Sequence, residues 1–149
     1  MWKHRYYKGC HSIAVCRILN FFAKLLKIRK PWFVSDVVVD EERDVVSFIA
    51  DVFAEKLPCP KCGKRCSRYD TRMSRWRHLD TMEYGTMIQC EVPRIRCSEH
   101  GVLKVRVPWA EPLSRYTVAF ESYIIEKHFR SAIPCTQKGL YFPILCTVN

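Results

Sequence analysis

Two short motifs decide most of what this chain can become. Cys59-Pro60-Lys61-Cys62-Gly63 and Cys97-Ser98-Glu99-His100-Gly101 share one layout: two donors three positions apart, then a glycine. Donors spaced this way on a tight turn can face the same ion. The glycine permits the backbone turn that closes around it. One such knuckle supplies half a tetrahedron. The pair supplies Cys59, Cys62, Cys97 and His100, a Cys₃His donor set suited to one structural Zn²⁺. The 34 residues between them, 63–96, hold a predicted hairpin, which is how a zinc ribbon is built.

Other readings of the cysteines carry less. A lone CxxC can be a redox dithiol, but that use needs a βαβ setting missing here. Cys66 and Cys90 are substitute ligands to weigh. Cys90 alternates with Ile88 and Val92 and reads as a core thiol, whereas Cys66 lies close to the knuckle. His78 follows Trp76 on one strand face and reads as a satisfied histidine rather than a ligand. Cys10, Cys16, Cys135 and Cys146 have no partner motif and read as incidental thiols. The total of nine is odd, and no signal peptide precedes it, which argues against a secreted disulfide framework.

Length and charge narrow the class further. The 149 residues are 48% hydrophobic, enough for a packed core in one ordinary domain or two very small ones. No run reaches the roughly 18 apolar residues that span a bilayer. Net charge is +10, unevenly spread. Residues 1–30 carry eight basic side chains and no acid, residues 31–58 are net −5, and residues 59–106 are net +6. Two basic blocks around an acidic one suggest a polyanion partner, with solubility as the bland alternative.

The pattern predicts a small α+β fold: an N-terminal helix and β-hairpin, then a zinc-ribbon β-sheet and a C-terminal helix. Residues 1–17 read as an unstructured basic leader. Residues 18–28 read as an amphipathic helix with Leu19, Phe22, Leu25 and Leu26 on one face, ended by Pro31. Residues 32–40 and 45–52 read as a hairpin. Residues 74–81, 86–97 and 101–107 read as ribbon strands. Residues 117–129 read as a helix capped by Ser114 or Thr117. The divisions are 1–17, 18–57, 58–112 for the ribbon, 113–130, and a tail at 131–149.

Strand alternation pairs Arg75 with Arg77, Arg94 with Arg96, and Lys104 with Arg106. If their strands pair, the six cations line one ribbon face suited to phosphates. The apolar phase slips between Val92 and Ile95, which predicts a bulge at Pro93 and Arg94.

The strings CPKCG, RYDTR, WRHLDT, CEVPRIRC, EHGV and VPWAEP, in that order, resemble the N-terminal zinc-ribbon region of transposases of the ISL-three insertion-sequence family. The helix at 18–28 followed by PWFVSDVVVD resembles that family's start. The resemblance covers roughly residues 18–128. It implies that Cys59, Cys62, Cys97 and His100 hold the metal. It also implies that a helix-turn-helix region follows, then an RNase-H-like domain with a DDE triad. Ribbon and helix-turn-helix would bind the element's terminal inverted repeats. Residues 1–17 and 131–149 depart from the family, so a truncated transposase without its catalytic domain is expected. Asp36, Asp40, Glu41, Glu42 and Asp44 read as turn and surface residues, not as a catalytic triad.

The expected function is therefore zinc-dependent DNA binding without catalysis, mostly through phosphates. The expected location is the bacterial cytoplasm, on the nucleoid when DNA is bound. No membrane and no small-molecule substrate is expected, and a homodimer stays open. The competing reading is a zinc-ribbon protein-interaction module, with Trp32, Trp76, Trp109 and the Tyr and Phe residues supplying an apolar patch.

Overall fold

The computed structural model describes residues 13–132. In chain order these form α1 (Ile13–Leu25), β1 (Trp32–Asp40), β2 (Val45–Val52), β3 (Lys56–Pro58), β4 (Arg65–Arg77), β5 (Gly85–Cys97), β6 (Gly101–Lys104) and α2 (Val118–Ala132). The α+β expectation holds. Six strands make one mixed sheet in the order β1-β2-β5-β4-β3, with β6 also on β5.

The helix α1 starts five residues ahead of the expected position, inside the segment read as an unstructured leader. It also stops earlier than Pro31 would require. Lys27 takes a left-handed φ of 56°. The Ile28 amide then donates to Ala23 at 2.8 Å and the Lys27 amide to Lys24 at 3.1 Å. This is a Schellman stop, which satisfies carbonyls that would otherwise be orphaned. Leu19, Ala23, Leu26 and Ile28 are buried, while Leu25, expected on that face, is exposed.

β1 and β2 pair antiparallel over their predicted spans, with a register break around Ser35. The charged turn between them ends at Asp44, whose carbonyl accepts from the Gly85 amide at 2.7 Å. That contact starts a parallel pairing of β2 with β5, from Val45 with Gly85 to Ala50 with Cys90. The N-terminal hairpin and the ribbon thus share one sheet. Phe48, Val34, Ile88 and Val92 meet in its core, each 1% exposed or less. Burial of each such side chain contributes about 1.5–3 kcal/mol.

β5 changes partners midway. It lies beside β2 up to Cys90 and beside β6 from Arg94. Pro93, which has no N–H to give, stands in the gap. Its carbonyl accepts from the Val105 amide at 3.0 Å. The buried positions of β5 do switch phase at Val92 and Pro93. The register break, however, is on the opposing strand: Arg68 faces Ile95 and Asp70 faces Arg94, leaving Tyr69 as the extra residue. The expected bulge is therefore on β4, not at Pro93 and Arg94.

The segment 108–112, read as a linker, is anchored by Trp109. Its ring meets Trp32 at 5.2 Å and Trp76 at 5.6 Å, both edge-on. All three tryptophans are buried, so of the aromatic patch expected of an interaction module only Tyr and Phe residues such as Tyr123 and Phe129 are exposed. Thr117 caps α2, accepting the Phe120 amide at 3.3 Å. Cys10, Cys135, Cys146, residues 1–12 and the tail from 133 lie outside the described residues. Cys16, read as an incidental thiol, is disulfide-bonded.

Candidate metal centre and nucleic-acid interface

Two adjacent strand ends deliver the four donors. Cys59 follows β3 directly, and Cys62 sits in the turn leading to β4. Cys97 ends β5, and His100 lies in the turn before β6. Pairing of Pro58 with Arg65, and of Cys97 with Gly101, closes the two turns. In the first, the Gly63 amide donates to the Cys59 carbonyl at 2.9 Å, and the Cys59 amide to Lys64 at 2.8 Å. Gly63 and Gly101 have φ of 73° and 70°. An added Cβ would meet nothing within 4 Å at either, so backbone conformation, not space, selects glycine.

The donor atoms of Cys59, Cys62, Cys97 and His100 all lie within 4.8 Å of one another. Cys62 Sγ is 3.7 Å from Cys97 Sγ. His100 Nδ1 is 3.6 Å from Cys97 Sγ and 3.9 Å from Cys59 Sγ. A regular tetrahedron with zinc bond lengths puts two sulfurs about 3.8 Å apart, and sulfur and nitrogen about 3.6 Å apart. These three spacings fit that tetrahedron, and the nitrogen facing the Cys59 and Cys97 sulfurs is Nδ1. The donor set fits one Zn²⁺, which when bound would tie the two turns together.

Electrostatics around the thiols are divided. Cys97 is drawn down to about 6, chiefly by its hydrogen bond with His100 and also by backbone amides. At Cys62 the Lys64 amide favours the thiolate. Burial and the Cys59 and Cys97 thiols outweigh it, and the group is pushed up to about 11. Thiols crowded this closely resist ionising together until a cation joins them. Lys64 and Glu99 form an ion pair between the two turns. That hydrogen bond raises the Lys64 ammonium above its ordinary value.

The substitute ligands stand outside the four-donor cluster, with Cys66 still beside the Cys97 thiol. Cys66 Sγ donates to the Lys64 carbonyl at 3.4 Å and is not among the four. Cys90 is buried in the core, and that burial pushes its thiol up to about 12. His78 Nδ1 lies 2.8 Å from the Thr117 hydroxyl. It is a satisfied histidine.

The six cations do not share a face. β4, β5 and β6 pair as expected, but Arg75 stands opposite Gln89 and Arg77 opposite Met87. Arg94 stands opposite Lys104 and Asp70. Cross-strand partners share a face, and positions 89 and 94 of one unbroken strand point to opposite ones. Arg94, Arg96 and Lys104 therefore lie on one side and Arg77 on the other, with Arg75 at the rim of two clefts. Arg106, beyond β6, lines one of these clefts, of about 370 Å³, with Ser74, Trp76 and Lys104.

Two of the six are spent internally. Arg94 grips Asp70 with two of its nitrogens, Nε at 2.6 Å and Nη2. That hydrogen bond holds the Asp70 carboxyl below its ordinary value. Arg77 pairs with Asp80 and donates to the His78 carbonyl at 2.7 Å and the Thr86 carbonyl at 3.1 Å. Lys104 donates to Ser74 at 2.8 Å but stays exposed, as do Arg75, Arg96 and Arg106.

A family model described as the zinc-finger of transposase IS204/IS1001/IS1096/IS1165 matches residues 56–100. The match begins with β3 and ends on His100, enclosing all four donors. Residues 56–100 are therefore similar to the zinc ribbon of such transposases. Across a wider stretch, the chain is similar to the transposase for insertion sequence element IS1557 of two Mycobacterium tuberculosis strains. Each is 29% identical over 115 residues, 72% of this chain and 26% of the relative. The chain thus spans about a quarter of the length of those transposases. No solved structure matches. In the zinc-ribbon segment of this chain, metal-facing turns stand at one end of the sheet and cations flank its central strands.

Proposed function

We propose that the described residues are a DNA-binding portion of a transposase, contacting mainly phosphates and serving, in a longer protein, to hold an element's terminal repeats. The observation that carries this reading is the cluster of Arg96, Lys104 and Arg106 beside a transposase zinc ribbon. Each such cation can displace one condensed counterion from DNA. A rigid sheet holding them costs less ordering on binding than a loop would. The location that follows is the bacterial cytoplasm, on the nucleoid. No helix among the described residues is long and apolar enough to cross a membrane.

We place no phosphoryl transfer in these residues. Such chemistry needs carboxylates converging on ions roughly 4 Å apart. Here Asp70, Asp80, Glu99 and Glu126 each pair with a cation of the chain itself. Magnesium-dependent DNA cleavage by the purified protein would overturn this.

The test of binding is an anisotropy titration of the zinc-loaded protein with duplex DNA over several salt concentrations. The expected Kd is on the order of 10⁻⁴ to 10⁻⁶ M at physiological salt, the non-specific range. Replacing Arg96 and Lys104 together by Ala should flatten the salt slope by about two units, one per phosphate contact. Arg94→Ala should change the slope less, since Asp70 already neutralises Arg94. A second reading, a protein-interaction module, draws on the exposed Ile125 and Phe129 of α2. Binding that ignores salt, or none, would favour it.

A further inference from the structure

Tyr69 is the residue that the β4 register break leaves without a strand partner. Its side chain is 50% exposed. The Arg96 guanidinium carbon lies 4.5 Å from its ring centroid and that of Arg94 lies 5.9 Å away. Arg94 is fixed by its two-pronged grip on Asp70, which also neutralises that carboxylate. The ring is thus propped by cations and oriented by a bulge, yet half of its surface stays open to solvent. Lys104 stands across from Arg94 on the same face, and Arg72, opposite Val92, continues the row.

An exposed aromatic ring set among cations on a rigid sheet is the arrangement that receives an unpaired base. The ring stacks on the base, while neighbouring cations follow the phosphates. A base-paired duplex keeps its bases stacked on each other and presents only phosphates to such a face. Building on the DNA-binding reading above, we propose that Tyr69 is a stacking platform for an unpaired base. The β4–β5–β6 face would then prefer single-stranded DNA to duplex, with Arg96 and Lys104 on the adjoining phosphates.

The experiment uses the zinc-loaded full chain and two fluorescent probes, a 20-nucleotide oligo-dT and a 20-base-pair duplex, at one moderate salt concentration. Wild type should bind oligo-dT more tightly than duplex. Tyr69→Ala should weaken oligo-dT binding by about 5- to 150-fold, the range found for a single base–aromatic stack, and leave duplex binding within about twofold. Tyr69→Phe should keep the single-strand affinity. Tyr69→Leu, which preserves bulk without a π face, should lose it while retaining zinc content and far-UV dichroism. Duplex binding that persists while no Tyr69 variant alters oligo-dT binding would overturn the platform and leave the DNA-binding reading standing. Equal losses on both probes would also overturn the platform. Absence of binding to either probe would overturn both.

Discussion

His78 closes the end of β4 onto the start of α2 through the Thr117 hydroxyl, which is itself fully buried. Burial, and secondarily the Arg77 charge, hold its imidazole below the ordinary value. The folded protein therefore prefers neutral His78, while the unfolded chain takes up a proton near pH 6.5. Stability from this group should be complete above about pH 6.5 and fall as the pH drops through the lower folded value. With zinc saturating, the loss in unfolding free energy between pH 7.5 and pH 5.5 should be larger for wild type than for His78→Gln; equal losses would remove His78 from the account. That His78 is satisfied and that Cys59, Cys62, Cys97 and His100 converge were both legible in the sequence. Metal chemistry admits few residue types, and a shared spacing exposes them. The pairs Lys64–Glu99 and Arg94–Asp70 were not legible. Their partners are 35 and 24 positions apart, and no spacing rule links a surface cation to one distant acid among many.

The hairpin β1–β2 was readable to the residue because its apolar positions are bounded by Pro31 and a charged turn. The first half of β4 was hidden: residues 65 to 73 are almost all exposed, so no period marks them as a strand. β3 is three residues long and ends on Pro58, too short to announce itself. The face shared by the arginines was misjudged because six charges on alternating positions say nothing about register between strands. Element by element, the metal should matter unequally. Zinc clamps only the turn after β3 and the turn before β6, and structural zinc of this type contributes about 10 kcal/mol in small peptides. The core around Phe48 and Ile88, in β2 and the first half of β5, holds none of the four donors. Chelation should therefore speed amide exchange in 56–66 and 96–104 strongly and in 45–50 and 86–90 little. Cys59→Ser/Cys97→Ser should bind less than one zinc per chain and reproduce that pattern without chelator. Uniform exchange across the sheet would instead make the metal a condition for the whole fold.

At the scale of the molecule, one sheet with two kinds of end emerges. Metal-facing turns close one end, α1 packs on the β1–β2 hairpin with Phe22 against Phe48, and β5 links hairpin to ribbon, with Gly85–Cys97 first against β2 and then against β6. Charge follows the same axis: the net −5 of residues 31–58 lies in the N-terminal hairpin and the segment just after it, the net +6 of residues 59–106 in the ribbon. The parallel pairing of Val45 to Ala50 with Gly85 to Cys90 has a consequence for portability. The stretch that the family model matches is shorter than the stretch that packs as one sheet. A peptide of residues 56–107 keeps every zinc donor. It also strips the neighbour from half of its central strand and leaves Gly85 to Cys90 as an open backbone edge. Such an edge recruits other copies. The excised ribbon should load zinc yet sediment as aggregates, while a peptide that also carries residues 13–55 should sediment as a discrete species. The piece that keeps β5 flanked on both sides along its first half is the hairpin and the knuckles together.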